Sequence, residues 1–390
     1  MNILIFTHTL ASGGTERVAA TLANHWARRL WRVTVVTLGP ASEDFYALDP
    51  QVRRLALDMA GPSSGALDAL AQNLRRVAAL RRVLVEQRPA VAVAMMSTPN
   101  VLLAFAAWGL PGLCTIGSEH CYPPHRPLGR IWTALCRRMY GRLGAVVALT
   151  QECAQWIRAH SSATRVPVIP NAAPWPLPQQ APYLAPDAVC APGRRILLAV
   201  GRLETVKNLE LLLQVFARLA PAHPDWDLVI LGEGSQRPAL ERTIDSLLPG
   251  TRIQLPGTAG NVGQWYARAD LYVMSSRSEG FPNSLAEALA HGLPAVSFDC
   301  DTGPRDIIRH GVDGLLVPPD DAAALMRALG CVMADARLRA RFAARAAEAR
   351  ERFSLERVAG MWEDLFRELT ARRPAARPAG GLPGTEGRAP

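Results

Sequence analysis

Short apolar runs alternate with amphipathic helical patterns from the start of the chain. Ile3–Thr7 and Arg32–Thr37 predict strands, and the segment from Thr15 to Arg29 predicts a helix between them. Further runs predict strands at Val91–Met96, Thr115–Ser118 and Val146–Leu149. Strands that alternate with helices form parallel sheets covered by helices. Residues 1–171 are therefore expected to form a Rossmann-like α/β domain.

The pattern starts again after a Pro-rich linker at residues 172–192, which indicates a hinge. Predicted strands follow at Ile196–Val200, Asp227–Leu231, Arg252–Leu255, Leu271–Met274, Ala295–Phe298 and Gly314–Val317. Residues 193–353 should form a second doubly wound domain of the same class. A helix at 354–370 is expected to pack back on the first domain, and residues 371–390, rich in Pro, Gly, Ala and Arg, to be disordered.

Positive charge is concentrated in the first domain. Residues 1–170 hold 18 Arg and no Lys against 9 acidic residues, whereas the rest of the chain holds 25 basic and 25 acidic residues. This excess indicates a soluble surface or an anionic partner: a lipid diphosphate, a membrane surface or nucleic acid. The basic half is expected to lack interleaved exposed aromatic residues and has no recognisable nucleic-acid reader motif, which disfavours nucleic acid.

Location and redox state follow from the same composition. No apolar run approaches the ~20 residues that a membrane span needs, and the N-terminus reads as a strand rather than a signal peptide, so we expect a cytoplasmic protein. The seven cysteines are scattered without a Cys-x-x-Cys pair, which favours reduced residues over disulfides or a zinc site.

Three loops carry candidate chemistry. The first places Gly13 and Gly14 between a strand and a helix, where main-chain N–H groups can approach a phosphate; the alternative is a tight turn. The second follows the first strand of the second domain and carries Arg202 and Lys207, two cations suited to a diphosphate. Lys207 is the only lysine beside 42 arginines, which indicates a site that needs a compact ammonium, unless it survives by chance.

The third loop runs from Ser276 to Ala288. Glu279 precedes the predicted helix and Glu287 lies one turn inside it, so both carboxylates can accept hydrogen bonds from ligand hydroxyls. The main-chain N–H groups that would hold phosphate oxygens belong to Asn283, Ser284 and Leu285. Ser284 and Glu287 alternatively form a capping box.

These motifs together resemble glycosyltransferase family 4. The resemblance rests on Gly-Arg-Leu-x-x-x-Lys-Asn at 201–208 and Ser-Glu-Gly-Phe-Pro-Asn-Ser-x-x-Glu-Ala at 278–288. Gly13-Gly14, Ser118-Glu119-His120, Ile169-Pro170-Asn171 and Gly303-Pro304 occur in the family's order over nearly the whole chain. The resemblance implies two Rossmann-like domains facing across a cleft, the GT-B fold, and retention of the sugar's anomeric configuration.

The resemblance also implies a role for each matching residue. Arg202 and Lys207 would neutralise the donor diphosphate, Glu287 would bind the ribose, and Glu279 would hold the sugar hydroxyls. Catalytic roles are thus implied for Glu279, Lys207, Arg202 and His120, and donor contacts also for Gly13, Gly14, Gly280, Phe281, Asn283, Ser284 and Leu285. No cofactor or metal is expected. Two positions depart from the family: Leu30-Trp31 stands where Gly-His is frequent, and Asp301 where Pro is usual near the donor sugar.

The acceptor side is expected near Leu128–Arg142, read as an amphipathic basic helix. Leu128, Ile131, Trp132, Leu135 and Met139 fall on one helical face. Such a helix suits an anionic inner membrane surface, or it packs its apolar stripe on the sheet. We expect Arg137, Arg138 and Arg142 to meet a lipid carrier's diphosphate.

The sequence therefore favours a hexosyltransferase that uses a UDP-hexose or UDP-N-acetylhexosamine. A galacto-configured sugar is favoured because residues 298–306 resemble the family's branch of galactosyl and N-acetylgalactosaminyl transferases. Its acceptor would be a lipid-linked or polysaccharide glycan of a bacterial surface. Two alternatives stay open: a catalytically silent nucleotide-sugar-binding protein and a UDP-sugar epimerase of the same fold.

Overall fold

The structure is a computed structural model that describes residues 1–61, 64–125, 127–247 and 252–371. Apart from residue 371, the segment 371–390 expected to be disordered lies outside the described residues. No helix among the described residues is long and apolar enough to cross a membrane.

The first domain is built on a parallel sheet in the order β3-β2-β1-β4-β5-β6. Its strands are β1 (Asn2–Thr7), β2 (Arg32–Thr37), β3 (Arg53–Ala56), β4 (Val91–Met95), β5 (Cys114–Glu119) and β6 (Ala145–Ala148). Its helices are α1 (Gly14–Arg28), α2 (Ala66–Gln87), α3 (Ser97–Ala106), α4 (Arg130–Met139) and α5 (Gln151–His160). The apolar pattern does not predict β3, because this edge strand is half arginine and none of its residues is fully buried.

The second domain repeats this topology, with the order β12-β11-β10-β7-β8-β9. It begins with α6 (Pro186–Val189), and its strands are β7 (Arg195–Val200), β8 (Trp226–Leu231), β9 (Ile253–Gly257), β10 (Leu271–Met274), β11 (Ala295–Phe298) and β12 (Gly314–Val317). Its other helices are α7 (Leu209–Leu219), α8 (Arg237–Leu247), α9 (Val262–Arg268), α10 (Asn283–Ala290), α11 (Pro304–Ile307), α12 (Ala322–Ala334), α13 (Ala336–Ala346) and α14 (Ala349–Arg352). The prediction of two doubly wound α/β domains is confirmed.

The C-terminal helix α15 (Leu355–Ala371) returns to the first domain. Its buried face joins the core around β1, and the ring centroids of Phe366 and Trp26 lie 5.3 Å apart. Arg29 donates to Glu363 Oε1 at 2.8 Å on the rim of this contact. The chain thus crosses between the domains twice, near residue 172 and near residue 354.

Helix α1 ends at a position that departs from the family. Leu30 follows its C-terminal residues with φ +62° and is 84% exposed. Its N–H donates to Ala27 O at 2.8 Å, so the left-handed residue closes the helix as a glycine would. Leucine pays a steric penalty in this conformation that glycine avoids.

Candidate active site

The candidate site lies where the strand order of each sheet reverses. In the second sheet, β7 and β10 are neighbours, and their connections leave in opposite directions. The crevice beyond the carboxyl ends of two such strands is the usual ligand site of an open parallel sheet. Lys207 follows β7 and Glu279 follows β10, so the topology brings the two loops together at this crevice.

Lys207 and Glu279 form a direct ion pair. Lys207 Nζ donates to Glu279 Oε1 at 2.6 Å, and the two side chains are 20% and 12% exposed. The loop that carries Lys207 is held by Ser275, just after β10, whose Oγ donates to the Lys207 carbonyl at 2.9 Å. Gly201 leaves room for the lysine stem, since a Cβ there would be 3.2 Å from Lys207 Cε. A cation and a carboxylate are therefore presented together at the crevice.

Arg202 is placed on the same loop but is not part of this pair. Its side chain is exposed, and within the described segments it forms no ion pair. It remains available to an anionic ligand that reaches the loop.

Glu287 is buried on α10 and faces the other domain. Arg17 on α1 forms an ion pair with Glu287 Oε1, and the Tyr266 hydroxyl donates to Oε2 at 3.2 Å. Burial raises the pKa of Glu287, and Arg17 and Tyr266 oppose that rise. The capping-box alternative is wrong: Pro282 is the N-cap of α10, and Ser284 Oγ instead accepts from the Tyr272 hydroxyl at 2.8 Å.

Two of the predicted donor residues at the start of α10 have buried side chains. The side chains of Phe281 and Leu285 are in the core, with Phe281 edge-on to Phe353 at 5.7 Å between ring centroids. Both can face a donor only through their main chains, and the Leu285 N–H already donates to Pro282 O at 3.0 Å. The expectation that the Leu285 N–H holds a phosphate oxygen is therefore not supported, because the turn uses that donor.

Asn283 connects the two domains at the floor of the cleft. Asn171 Nδ2 donates to Asn283 Oδ1 at 2.9 Å. Gly14 faces the same side chain, and a Cβ at Gly14 would lie 3.1 Å from Asn283 Nδ2. Gly13 is the extended N-cap of α1. Because Gly13 and Gly14 carry no side chains, the N-terminus of α1 lies close to the N-terminus of α10.

His120 lies at the end of β5, on the first domain's side of the cleft. It is buried, with Nε2 at 3.1 Å from Ser118 Oγ, and burial lowers the pKa of His120 to about 4. The imidazole is therefore neutral at physiological pH. Gly280 of the second domain packs on the His120 carbonyl so closely that a Cβ there would overlap it.

Glu119 is a buried carboxylate next to His120 that the motif analysis did not assign a role. It accepts from the Tyr140 hydroxyl, from Ser97 Oγ at 2.9 Å and from Asn100 Nδ2 at 3.3 Å. Burial raises the pKa of Glu119 to about 7 despite these donors. The signal that could have found it is an acidic residue at the carboxyl end of a strand, where open parallel sheets bind ligands.

Asp301, the residue where the family usually has proline, bridges the cleft at its surface. Its Oδ2 lies 2.5 Å from Nε2 of His125, which belongs to the 3₁₀ helix Pro123–His125 of the first domain. This polar contact depends on the departure from proline.

The acceptor-side helix is shorter than predicted, and one residue of its predicted apolar face is exposed. Helix α4 begins at Arg130, and Ile131 is 75% exposed rather than buried. Trp132, Leu135 and Met139 face the core, and residues advance about 100° each around a helix, which leaves Ile131 at the edge of that face. Arg137 and Arg138 are exposed, and the Arg142 guanidinium stacks 3.6 Å from the centroid of Trp108.

Comparisons with known proteins agree with this architecture. Residues 12–174 match the model described as Glycosyltransferase Family 4, and residues 187–349 match that of Glycosyl transferases group 1. The two matches cover most of the chain and divide it in the linker. The chain therefore belongs to the family-4 glycosyltransferases, and it is a glycosyltransferase of GT-B fold.

Three individual proteins show the range of similarity. An exopolysaccharide phosphotransferase of Streptomyces coelicolor is 31% identical over 93% of this chain, which spans 40% of that longer protein. An N-acetyl-D-galactosaminyltransferase of Campylobacter jejuni that acts on a diphospho-undecaprenol-linked glycan is 28% identical over 95% of this chain and 99% of its own. The structure of Anabaena HepE in complex with UDP aligns with a TM-score of 0.77 at 19% identity, covering 94% of this chain and all of that one.

Proposed function

We propose that the protein is a retaining transferase that moves a hexose or N-acetylhexosamine from a UDP-sugar to a lipid-linked or polysaccharide acceptor. The observation that carries the proposal is the Lys207–Glu279 pair at the switch point of the second sheet. A cation and a carboxylate 2.6 Å apart suit a ligand that joins a diphosphate to a polyhydroxylated sugar. UDP is the proposed nucleotide because HepE, of the same fold, is known with UDP.

Departure of the diphosphate is the step that these residues can assist. Lys207 and Arg202 would stabilise the negative charge that develops on the leaving group, together with the positive end of α10. Glu279 would then hold the sugar hydroxyls, Glu287 the ribose, and neutral His120 the sugar from the opposite side. The reaction needs no metal in this proposal, so activity should persist in the presence of EDTA.

A galacto-configured donor and a lipid-linked acceptor are the finer part of the proposal. The Campylobacter relative that matches along its whole length transfers N-acetylgalactosamine to a diphospho-undecaprenol-linked glycan. Phosphotransfer, the activity printed for the Streptomyces relative, is less favoured because this chain spans 40% of that protein.

Contact with an anionic membrane, on the cytoplasmic face, is proposed from the surface of the first domain. Leu67, Leu70 and Leu74 form an exposed stripe on α2, defined here as the leucine stripe, and Leu67 is 85% exposed. Trp108 connects helix α2 to Arg142. Arg81 of α2 donates to the Trp108 carbonyl at 2.7 Å, and the Arg142 guanidinium stacks on the Trp108 ring. Exposed apolar side chains and exposed arginines on one domain are the composition of an interfacial surface.

The test is sugar transfer from several UDP-sugars to a membrane extract that contains lipid-linked glycans. Wild type is compared with Lys207→Ala and Glu279→Ala, with Arg367→Ala as a control that breaks an exposed ion pair with Asp364 on α15. Transfer by wild type and Arg367→Ala, lost in both site variants, supports the proposal and identifies the donor. Tight binding without transfer would favour a silent binding protein, and sugar inversion without any acceptor would favour an epimerase.

A further inference from the structure

The Arg17–Glu287 contact joins the two domains inside the cleft. Arg17 lies in the first turn of α1, and Glu287 lies on α10, 270 positions along the chain. The side chain of Glu287 is 3% exposed and that of Arg17 is 32% exposed. The carboxylate is therefore enclosed, while its counterion reaches it from the cleft wall opposite.

The other groups around Glu287 supply little positive charge. Tyr266 on α9 donates to it at 3.2 Å, and Tyr272 on β10 and Tyr46 of the first domain stand further out. The ring of His291 lies 5.3 Å from that of Tyr266, and burial lowers the pKa of His291, which favours the neutral form. Among the groups that the structure describes around this carboxylate, Arg17 is thus the permanent cation.

We propose that Arg17 is a positioning residue of the donor site, supplied by the first domain, that keeps Glu287 ionised and aligned for the ribose hydroxyls. The inference rests on the proposed function, in which Glu287 binds the ribose. An ionised carboxylate offers about four lone-pair sites, so Arg17 and Tyr266 leave room for a ribose hydroxyl to donate. The ribose site is then complete only while the two domains are closed on each other.

The loss of Arg17 has a specific signature in pH. Without the guanidinium, the pKa of Glu287 rises, because burial is no longer opposed by that charge. Each unit of that rise lowers the ionised fraction about tenfold at a pH below the pKa. Ribose binding in Arg17→Gln should therefore be weakest at acidic pH and should recover as the pH is raised through the new pKa.

The experiment is calorimetric titration of UDP and of uridine into the full chain at about pH 6 and about pH 8.5. Arg17→Gln is compared with wild type, Arg17→Lys, Glu287→Gln and a control, Arg165→Gln, which breaks the Arg165–Glu368 ion pair outside the cleft. We expect Arg17→Gln to weaken UDP and uridine by the same factor, about tenfold at the acidic pH and less at the alkaline pH. Arg17→Lys should restore most of the affinity. In the Glu287→Gln background, adding Arg17→Gln should not change the pH response, because the carboxylate that Arg17 pairs with is gone.

Three outcomes would overturn the inference, and they are distinguishable. A loss of UDP affinity with unchanged uridine affinity would make Arg17 a phosphate ligand. Equal binding by wild type and Arg17→Gln at both pH values would reduce the pair to a domain contact. Wild type that binds neither ligand would reject the proposed function as well as this inference. If Arg17→Gln does not fold, Arg17→Met carries the comparison with the same expected loss, since it removes the charge and keeps most of the apolar stem.

Discussion

The α-carbon of Gly280, in the second domain, lies against the main-chain carbonyl of His120, in the first. The contact sits between the two loops that the proposed function assigns to the donor sugar. Because a side chain here would meet a backbone oxygen, neither partner can rotate out of the way.

Substitution of Gly280 tests whether this close approach is needed for transfer. The added methyl group of Gly280→Ala would force the loops apart, and a misplacement of about 1 Å costs roughly a hundredfold in rate. We expect kcat/KM for sugar transfer to fall by about that factor. Gly360→Ala is the matched control, since a Cβ at Gly360 meets no atom within 4 Å. Unchanged kcat/KM in Gly280→Ala would show that the domains do not stay in contact at this point during catalysis.

Lys207 offers a test of charge against shape. Lys207→Ala removes the ammonium that pairs with Glu279 at 2.6 Å, and kcat should fall by about 10² to 10³, as for the loss of one charge-stabilising donor. Lys207→Arg keeps the charge, but its planar guanidinium does not fit the stem position beside Gly201, so it should restore less than a tenth of the activity. Steady-state kinetics with the donor that the transfer assay identifies give both values. Full activity of Lys207→Arg would mean that the single lysine of the chain is not required as a lysine.

Glu119 predicts a pH dependence of stability. Its pKa is about 7 in the folded protein, above the value of 4.5 expected when unfolded. The folded state therefore holds a proton on Glu119 that the unfolded state has released, and the contribution of Glu119 to stability falls as the pH rises from about 4.5 to about 7, by roughly 3 kcal/mol in total. Buried His120, whose pKa is lowered to about 4, gains stability over nearly the same range, so the contribution of Glu119 is measured as a difference between two proteins. Thermal unfolding should show Glu119→Gln gaining stability relative to wild type as the pH rises from about 4.5 to about 7. The exposed Glu86→Gln should follow wild type at every pH, and a stability difference between Glu119→Gln and wild type that does not change with pH would contradict the prediction.

Leu30 predicts a gain in stability from glycine. The residue has φ +62° and little contact, so Leu30→Gly removes backbone strain without removing packing and should stabilise the protein by about 0.5–1 kcal/mol. Leu30→Ala keeps the Cβ and should leave stability unchanged. Denaturant unfolding measures both, and equal stability of the two variants would contradict the strain argument.

The sequence predicts the fold well and the site in part, for different physical reasons. Strands such as Leu271–Met274 are buried on both faces and read as continuous apolar runs, whereas β3 carries arginines at an edge and gives no such signal. Lys207 and Glu279 follow neighbouring strands, so the topology implies their meeting. The partnership of Arg17 with Glu287 depends on how the domains face each other, which no local pattern specifies. The orientation of α4 is likewise set by packing, and its exposed Ile131 departs from the simple helical face.

The surface of the first domain gives a prediction for membrane binding. Arg137, Arg138 and Arg142 should each contribute about 1 kcal/mol near an anionic surface, so changing all three to Ala should weaken binding to phosphatidylglycerol vesicles about a hundredfold. Changing the leucine stripe to Ser should weaken binding to the same vesicles with little change in its salt dependence, because that contribution is apolar. Flotation assays at several salt concentrations separate the two effects.

A matched control for charge lies on the second domain. Arg337, Arg341 and Arg345 are exposed on α13, and changing them to Ala removes three positive charges without touching the first domain. Vesicle binding should survive that change if the arginines of the first domain form the contact surface. An equal loss in both triple variants would show that net charge alone, and not this face, draws the protein to the vesicle, and intact binding in the first-domain variant would remove α4 and Arg142 from the interface.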